Sequence, residues 1–119
     1  DAFFLKHQLK WVGQEYQMER WASYDTCMEI LSSFLNRSSG VWMEKDDQFT
    51  FSRKCLALLL QFPIPPQKLR KEQSRYKTHP EKSIGLKKLN VCFAELGIPY
   101  HIRAQQRGKE HKTQWMLEQ

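Results

Sequence analysis

The stretch Thr78 to Glu118, THPEKSIGLKKLNVCFAELGIPYHIRAQQRGKEHKTQWMLE, decides how the rest of the chain is read. Its first half spaces Leu86, Leu89, Phe93 and Leu96 along one apolar helical stripe, with Lys87, Lys88, Val91 and Glu95 on the opposite side. One face is therefore built for a core and the other for solvent or a partner. Thr78 and Glu81 have the spacing of a capping box, with Pro80 in the first turn and Ser83 as a second possible cap. Gly97 supplies the left-handed residue that ends the helix. Beyond Pro99 the period shortens to two. Tyr100, Ile102 and Ala104 alternate with His101, Arg103 and Gln105, and then Thr113, Trp115 and Leu117 alternate with Gln114, Met116 and Glu118. That pattern predicts a hairpin with one apolar face and a cationic tip from Gln106 through Arg107, Gly108 and Lys109 to Lys112.

Charge is unevenly spread around this stretch. Residues 1–66 hold seven Lys/Arg against eight Asp/Glu, whereas residues 67–119 hold twelve against five, within a total of +6. Clustered positive charge of this kind calls for a polyanion, nucleic acid before anionic membrane, because it gains most against dense phosphate. A basic surface that is merely solvated is the plainer alternative. At 119 residues and 40% apolar the chain fits one domain with a real core. Beginning at Asp1 with apolar residues close behind, it reads as a piece of a longer protein.

Cys27, Cys55 and Cys92 are odd in number and far apart, which argues for reduced core thiols in an intracellular compartment, cytoplasm or nucleus, over a disulfide framework or zinc ribbon. The four histidines have no metal spacing, no apolar run approaches a membrane span, and no cofactor is expected. Paired carboxylates, phosphate-cradling glycine loops, nucleophile elbows and metalloprotease motifs are all missing, so no catalytic residue is expected and the chain does not read as an enzyme. Asp46-Asp47 reads as turn chemistry.

Upstream, residues 2–12 predict a helix with Phe3, Phe4, Leu9 and Trp11, ended by Gly13. Residues 17–36 predict a second, with Trp21, Tyr24, Met28, Leu31, Phe34 and Leu35 on one stripe and Ser38-Ser39-Gly40 as its stop. Val41-Trp42-Met43 and Gln48-Phe49-Thr50-Phe51 are β-prone, and predict either a small hairpin or one strand joining the terminal hairpin in a three-stranded sheet. Ser52 is expected to cap a helix to Phe62 that is apolar nearly all round and hence buried. Prolines 63, 65 and 66 then break the chain ahead of a highly charged segment, residues 67–77, which is either a phosphate-contacting helix or a solvated linker.

Helix, short strand, helices, basic helix and basic hairpin together resemble the winged-helix superfamily over Gln48 to Glu118, with LKKLNVCFAELGI and the alternating hairpin as the best piece. The ending is similar to the terminal winged helices of plasmid replication initiators and of viral or phage primase-helicases. This resemblance implies an α+β, mostly helical fold with residues 1–40 as N-terminal helices and 41–119 as the winged-helix part. It also implies binding to double-stranded DNA in replication or regulation, the helix entering the major groove and the wing meeting phosphate. The residues expected to carry that contact are Lys71, Arg75, Lys77, Lys82, Ser83, Lys87, Lys88, Val91, Arg103, Gln105, Gln106, Arg107, Lys109 and Lys112. Gln105, Gln106 and an exposed Asn90 have amides suited to adenine, although Asn90 lies close enough to the apolar stripe for a structural hydrogen bond. Tyr76 and Tyr100 are candidates for base stacking or, more plainly, for the edge of the core. Two other readings stay open: an RNA-binding winged helix, and a protein-docking module that uses the apolar N-terminal helix.

Overall fold

The computed structural model describes residues 11–12, 15–16, 23–71 and 83–119. These form an α+β fold with a small three-stranded antiparallel sheet. Trp11–Val12 (β1) pairs antiparallel with Glu15–Tyr16 (β2), so the helix expected over residues 2–12 does not include its last two positions; the remainder of that expectation lies outside the described residues.

Helix α1 runs Tyr24–Ser38. The Ser23 hydroxyl accepts the Thr26 N–H at 3.1 Å, satisfying one of the donors that a first turn leaves unpaired. Leu31 and Leu35 are fully buried one turn apart, and the helix gives way to Gly40 at φ 81, the stop expected there. Strand β3, Trp42–Met43, follows at once and joins the terminal hairpin, which is the second of the two arrangements expected for this region.

Gln48 to Phe51 is not a strand. It lies in α2, Lys45–Leu60, whose N-cap is Glu44, so Ser52 is interior to the helix and not its cap, and Asp46-Asp47 forms the first turn and not a hairpin tip. Acidic residues there favour the positive end of the helix dipole. Phe51, Cys55 and Leu59 then recur at helical spacing on a buried face, and this burial outweighs the weak β-preference of Phe-Thr-Phe. Gln48 also has a helical role: its side-chain N–H groups donate to the carbonyls of Met43 and Thr113, each at 2.9 Å, tying the start of α2 to the sheet.

After buried Pro65 and Pro66 comes a one-turn helix α3, Gln67–Arg70, anchored by fully buried Leu69. The longer helix expected through residue 77 passes outside the described residues. Helix α4 runs Leu86–Glu95 with Gly85 as N-cap, so it starts later than the Thr78 boundary, and Ser83 lies in the extended segment before it. Its end is a complete Schellman motif: Gly97 at φ 72, Ile98 N–H to Phe93 carbonyl at 2.9 Å, and Gly97 N–H to Ala94 carbonyl at 3.1 Å.

Strands β4, His101–Arg107, and β5, Lys112–Glu118, form the hairpin, and the sheet order is β3-β5-β4. In register, Ile102 faces Leu117, and Met43, Trp115 and Ala104 form one row on the same inner face. Trp42, Met116 and Arg103 form the neighbouring row on the outer face. Ile102 and Leu117 belong to the same buried cluster as Phe93, Leu89, Leu31 and Leu59, and partly buried Trp115 packs against it. No helix among the described residues is long and apolar enough to cross a membrane.

Candidate nucleic-acid interface

Three side-chain clamps fix α4 before any surface residue comes into play. At its start, the buried Ser52 hydroxyl donates to the Ile84 carbonyl at 2.6 Å and accepts the Ile84 N–H at 3.1 Å. In its middle, Asn90 exchanges two hydrogen bonds with the backbone of Ile102 on β4. Near its end, both Glu95 carboxylate oxygens accept the Gln67 N–H, at 2.9 and 3.0 Å, so the helix is also joined to α3. Backbone groups that would otherwise lie unpaired at a break in secondary structure are satisfied by these side chains. Asn90 is thus structural rather than a reader of bases.

With its inner face buried at Leu89, Cys92 and Phe93, α4 turns Lys87 and Val91 outward, Val91 being 42% exposed; Lys88 is half-buried. Val91 and Glu95 also line a cleft of about 400 Å³ whose other wall is Gln67, Lys68 and Lys71 of the α3 region. Lys68 was not among the expected contact residues, although it stands beside Lys71 in the same charged run. Burial pushes the Cys92 thiol up to about 11, reinforced by Glu95 and opposed by the nearby positive charges of Lys88 and Lys68. Burial likewise raises Cys27 to about 11 and Cys55 further, and all three thiols are free and buried, as expected of core cysteines. Among the described residues no group of three His, Cys, Asp or Glu side chains could hold a metal ion.

The hairpin separates its cations into different roles. Arg103 is paired within the hairpin: its Nε lies 3.0 Å from Glu118, its Nη1 donates to Gln105 at 3.0 Å, and its guanidinium lies 5.0 Å from the centre of the Trp42 ring. Arg107 stands 4.4 Å over the same ring, with no hydrogen bond or ion pair to a described residue. Gln105 shares this outer face, whereas Gln106 alternates to the opposite one. The tip is Gly108 to His111, closed by His111 N–H to the Gly108 carbonyl at 3.2 Å, with Gly108 at φ 80 and His111 at φ 53. Lys109 is exposed there, and Lys112 meets Glu110 at 2.9 Å in a pair open enough to water to contribute little.

Tyr100 donates its hydroxyl to Asn36 at 3.1 Å and is half-buried, so it belongs to the core edge and not to a stacking platform. Lys71 and Ser83 are exposed, the latter just ahead of the Ser52 clamp. Arg75, Tyr76, Lys77 and Lys82 lie outside the described residues. Compared with protein-family models, curated proteins and solved structures, the chain matches none. Trp42 is the residue that sequence reasoning missed: it is separated from Arg107 by most of the chain, and only the three-strand register brings the two together.

Proposed function

We propose that this chain is a nucleic-acid-binding module of winged-helix type that docks on duplex DNA in replication or regulation of a genome or mobile element. In this reading α4 enters the major groove and the β4–β5 hairpin serves as the wing. The observation that carries it is the joining of a basic helix to a basic hairpin: Asn90 ties α4 to the edge strand β4, and the two elements between them present Lys87, Lys88, Val91, Arg107, Lys109 and Lys112. The order α1, β3, α2, α3, α4, β4, β5 supports the same reading, since it repeats the helix, strand, helices and hairpin sequence of the winged-helix resemblance. Order alone does not give function; the charge supports the reading, with twelve basic against five acidic residues after position 66.

A helix about 10–12 Å across fits the B-form major groove, which is about 12 Å wide. There Lys88 can donate to guanine and Val91 can meet a thymine methyl, while the hairpin cations meet phosphate. The A-form major groove is too deep and narrow to admit α4, which favours DNA over double-stranded RNA. The test is a mobility shift on random-sequence duplex DNA with structured RNA as competitor. The reading expects the duplex complex to survive excess RNA; equal competition by RNA contradicts it.

A further inference from the structure

We propose that the outer face of the hairpin, at Arg107 backed by Trp42 and flanked by Lys112, is a pre-set site for one phosphate group of a nucleic-acid backbone. This rests on the nucleic-acid reading above and adds to it where on the hairpin the backbone lies and what prepares the contact.

Trp42 pairs in the row of Met116 and Arg103, whereas Arg107 lies four residues further along β4 opposite Lys112, so the two side chains meet diagonally over the outer face of β5. A long, freely rotating side chain is thereby held in one region of space before any ligand arrives. Held over an aromatic face, a guanidinium keeps the N–H groups at its rim available, and that rim is the part that matches two oxygens of a phosphate. Arg103 occupies the same ring, but its charge is already paired with Glu118 and one of its N–H groups is donated to Gln105. Arg107 is oriented without being neutralised.

Its cross-strand partner sharpens the point. Arg107 lies directly opposite Lys112, and like charges in that position destabilise a sheet unless something of opposite sign relieves them. Glu110 pairs with Lys112 at 2.9 Å, and Arg107 has no carboxylate partner among the described residues. A backbone phosphate bridging Arg107 and Lys112 supplies that charge. The hairpin then works from its outer face, and not only from Lys109 at the tip.

The experiment compares duplex affinity for the whole chain and for Arg107→Ala, Trp42→Leu, Trp42→Phe and the Arg107→Ala/Trp42→Leu pair, with thermal unfolding and the proton NMR shifts of the Arg107 side chain measured on each. Arg107→Ala is expected to weaken binding about tenfold on every duplex and to reduce the salt slope by about one. Trp42→Leu is expected to weaken binding about threefold, to abolish the upfield ring-current shift of the Arg107 side chain, and to cost nothing more once Arg107 is gone. Trp42→Phe, which keeps an aromatic face, should retain most of the shift and most of the affinity, and serves if Trp42→Leu fails to fold. An Arg107→Ala variant with unchanged slope, or aromatic loss at Trp42 that releases Arg107 without loss of affinity, overturns the phosphate site while leaving duplex binding standing. A parent chain that binds no duplex in low salt overturns both.

Discussion

Asn90 of α4 holds Ile102 of β4 by both peptide groups, its amide donating to the Ile102 carbonyl at 3.0 Å and its carbonyl oxygen accepting the Ile102 N–H at 2.7 Å. In effect the side chain stands in for another strand on the free edge of the sheet, and fixes the angle between the basic helix and the basic hairpin. Asn90→Leu leaves both Ile102 groups unpaired at a half-buried site, at a cost of about 1–3 kcal/mol. Asn90→Asp keeps the acceptor for the Ile102 N–H but sets a carboxylate oxygen against the Ile102 carbonyl, so it too should destabilise. Thermal unfolding of the two variants checks this; equal melting temperatures for Asn90→Leu and the parent chain would contradict it.

Ser52 does for the start of α4 what Asn90 does for its middle. Ser52→Ala removes both hydrogen bonds to buried Ile84, again at about 1–3 kcal/mol, and it should release the segment that leads into the helix. Amide hydrogen exchange reports this directly: the Ile84 N–H should lose protection in Ser52→Ala by more than the loss seen in α1. Uniform loss throughout the domain would mean that Ser52 acts only on global stability.

The buried and exposed sides of α4 should separate cleanly in stability. Phe93 is fully buried, so Phe93→Ala should cost about 3–5 kcal/mol, a large part of what a domain of this size has. Exposed Lys87→Ala should stay within about 0.5 kcal/mol. Denaturant midpoints measure both, and a similar midpoint for the two variants would show α4 turned the other way.

The thiols give a pH dependence with a definite sign. Burial raises Cys27 and Cys92 to about 11 from the ordinary thiol value of 9.0, so the folded chain keeps protons that the unfolded chain releases between those values. Below pH 9 the two states are alike in this respect and the contribution is constant. As pH rises from about 9 towards 11 stability should fall, by about 1.4 kcal/mol per unit for each thiol that remains protonated only in the fold. Urea unfolding across that range checks the slope, with Cys27→Ala expected to flatten it; a parent chain whose stability rises there contradicts it.

Much of this architecture is legible in the residues. The Leu86, Leu89, Phe93 stripe, Gly97 as a stop and the period-two alternation after Pro99 each carry their structure locally, and each appears in the fold. Gln48 to Phe51 misleads because β-branched and aromatic residues fit a strand only as well as their surroundings allow, and here the surroundings are a helical face continued by Cys55 and Leu59. The later start of α4 also escapes a local reading, since the backbone of Ile84 is bonded on both sides by Ser52, 32 residues away, and not by a helical turn. For the site, Lys87, Val91 and the hairpin cations are found where periodicity puts them, but the difference between Arg103 and Arg107 is not a property of either residue. It comes from Glu118 across the hairpin and from Trp42 two strands away.

If α4 and the hairpin together meet the phosphates of duplex DNA, as proposed, duplex binding should depend steeply on salt. With five or six cations among Lys68, Lys71, Lys87, Lys88, Arg107, Lys109 and Lys112 engaged, a plot of log affinity against log salt should have a slope of about −5, from about 0.9 per contact. Replacing Arg107, Lys109 and Lys112 together by alanine should bring the slope to about −2 on every sequence, while Lys88→Ala and Val91→Ala should also flatten sequence preference. A slope near zero for the parent chain, or no duplex binding in low salt, would contradict the account.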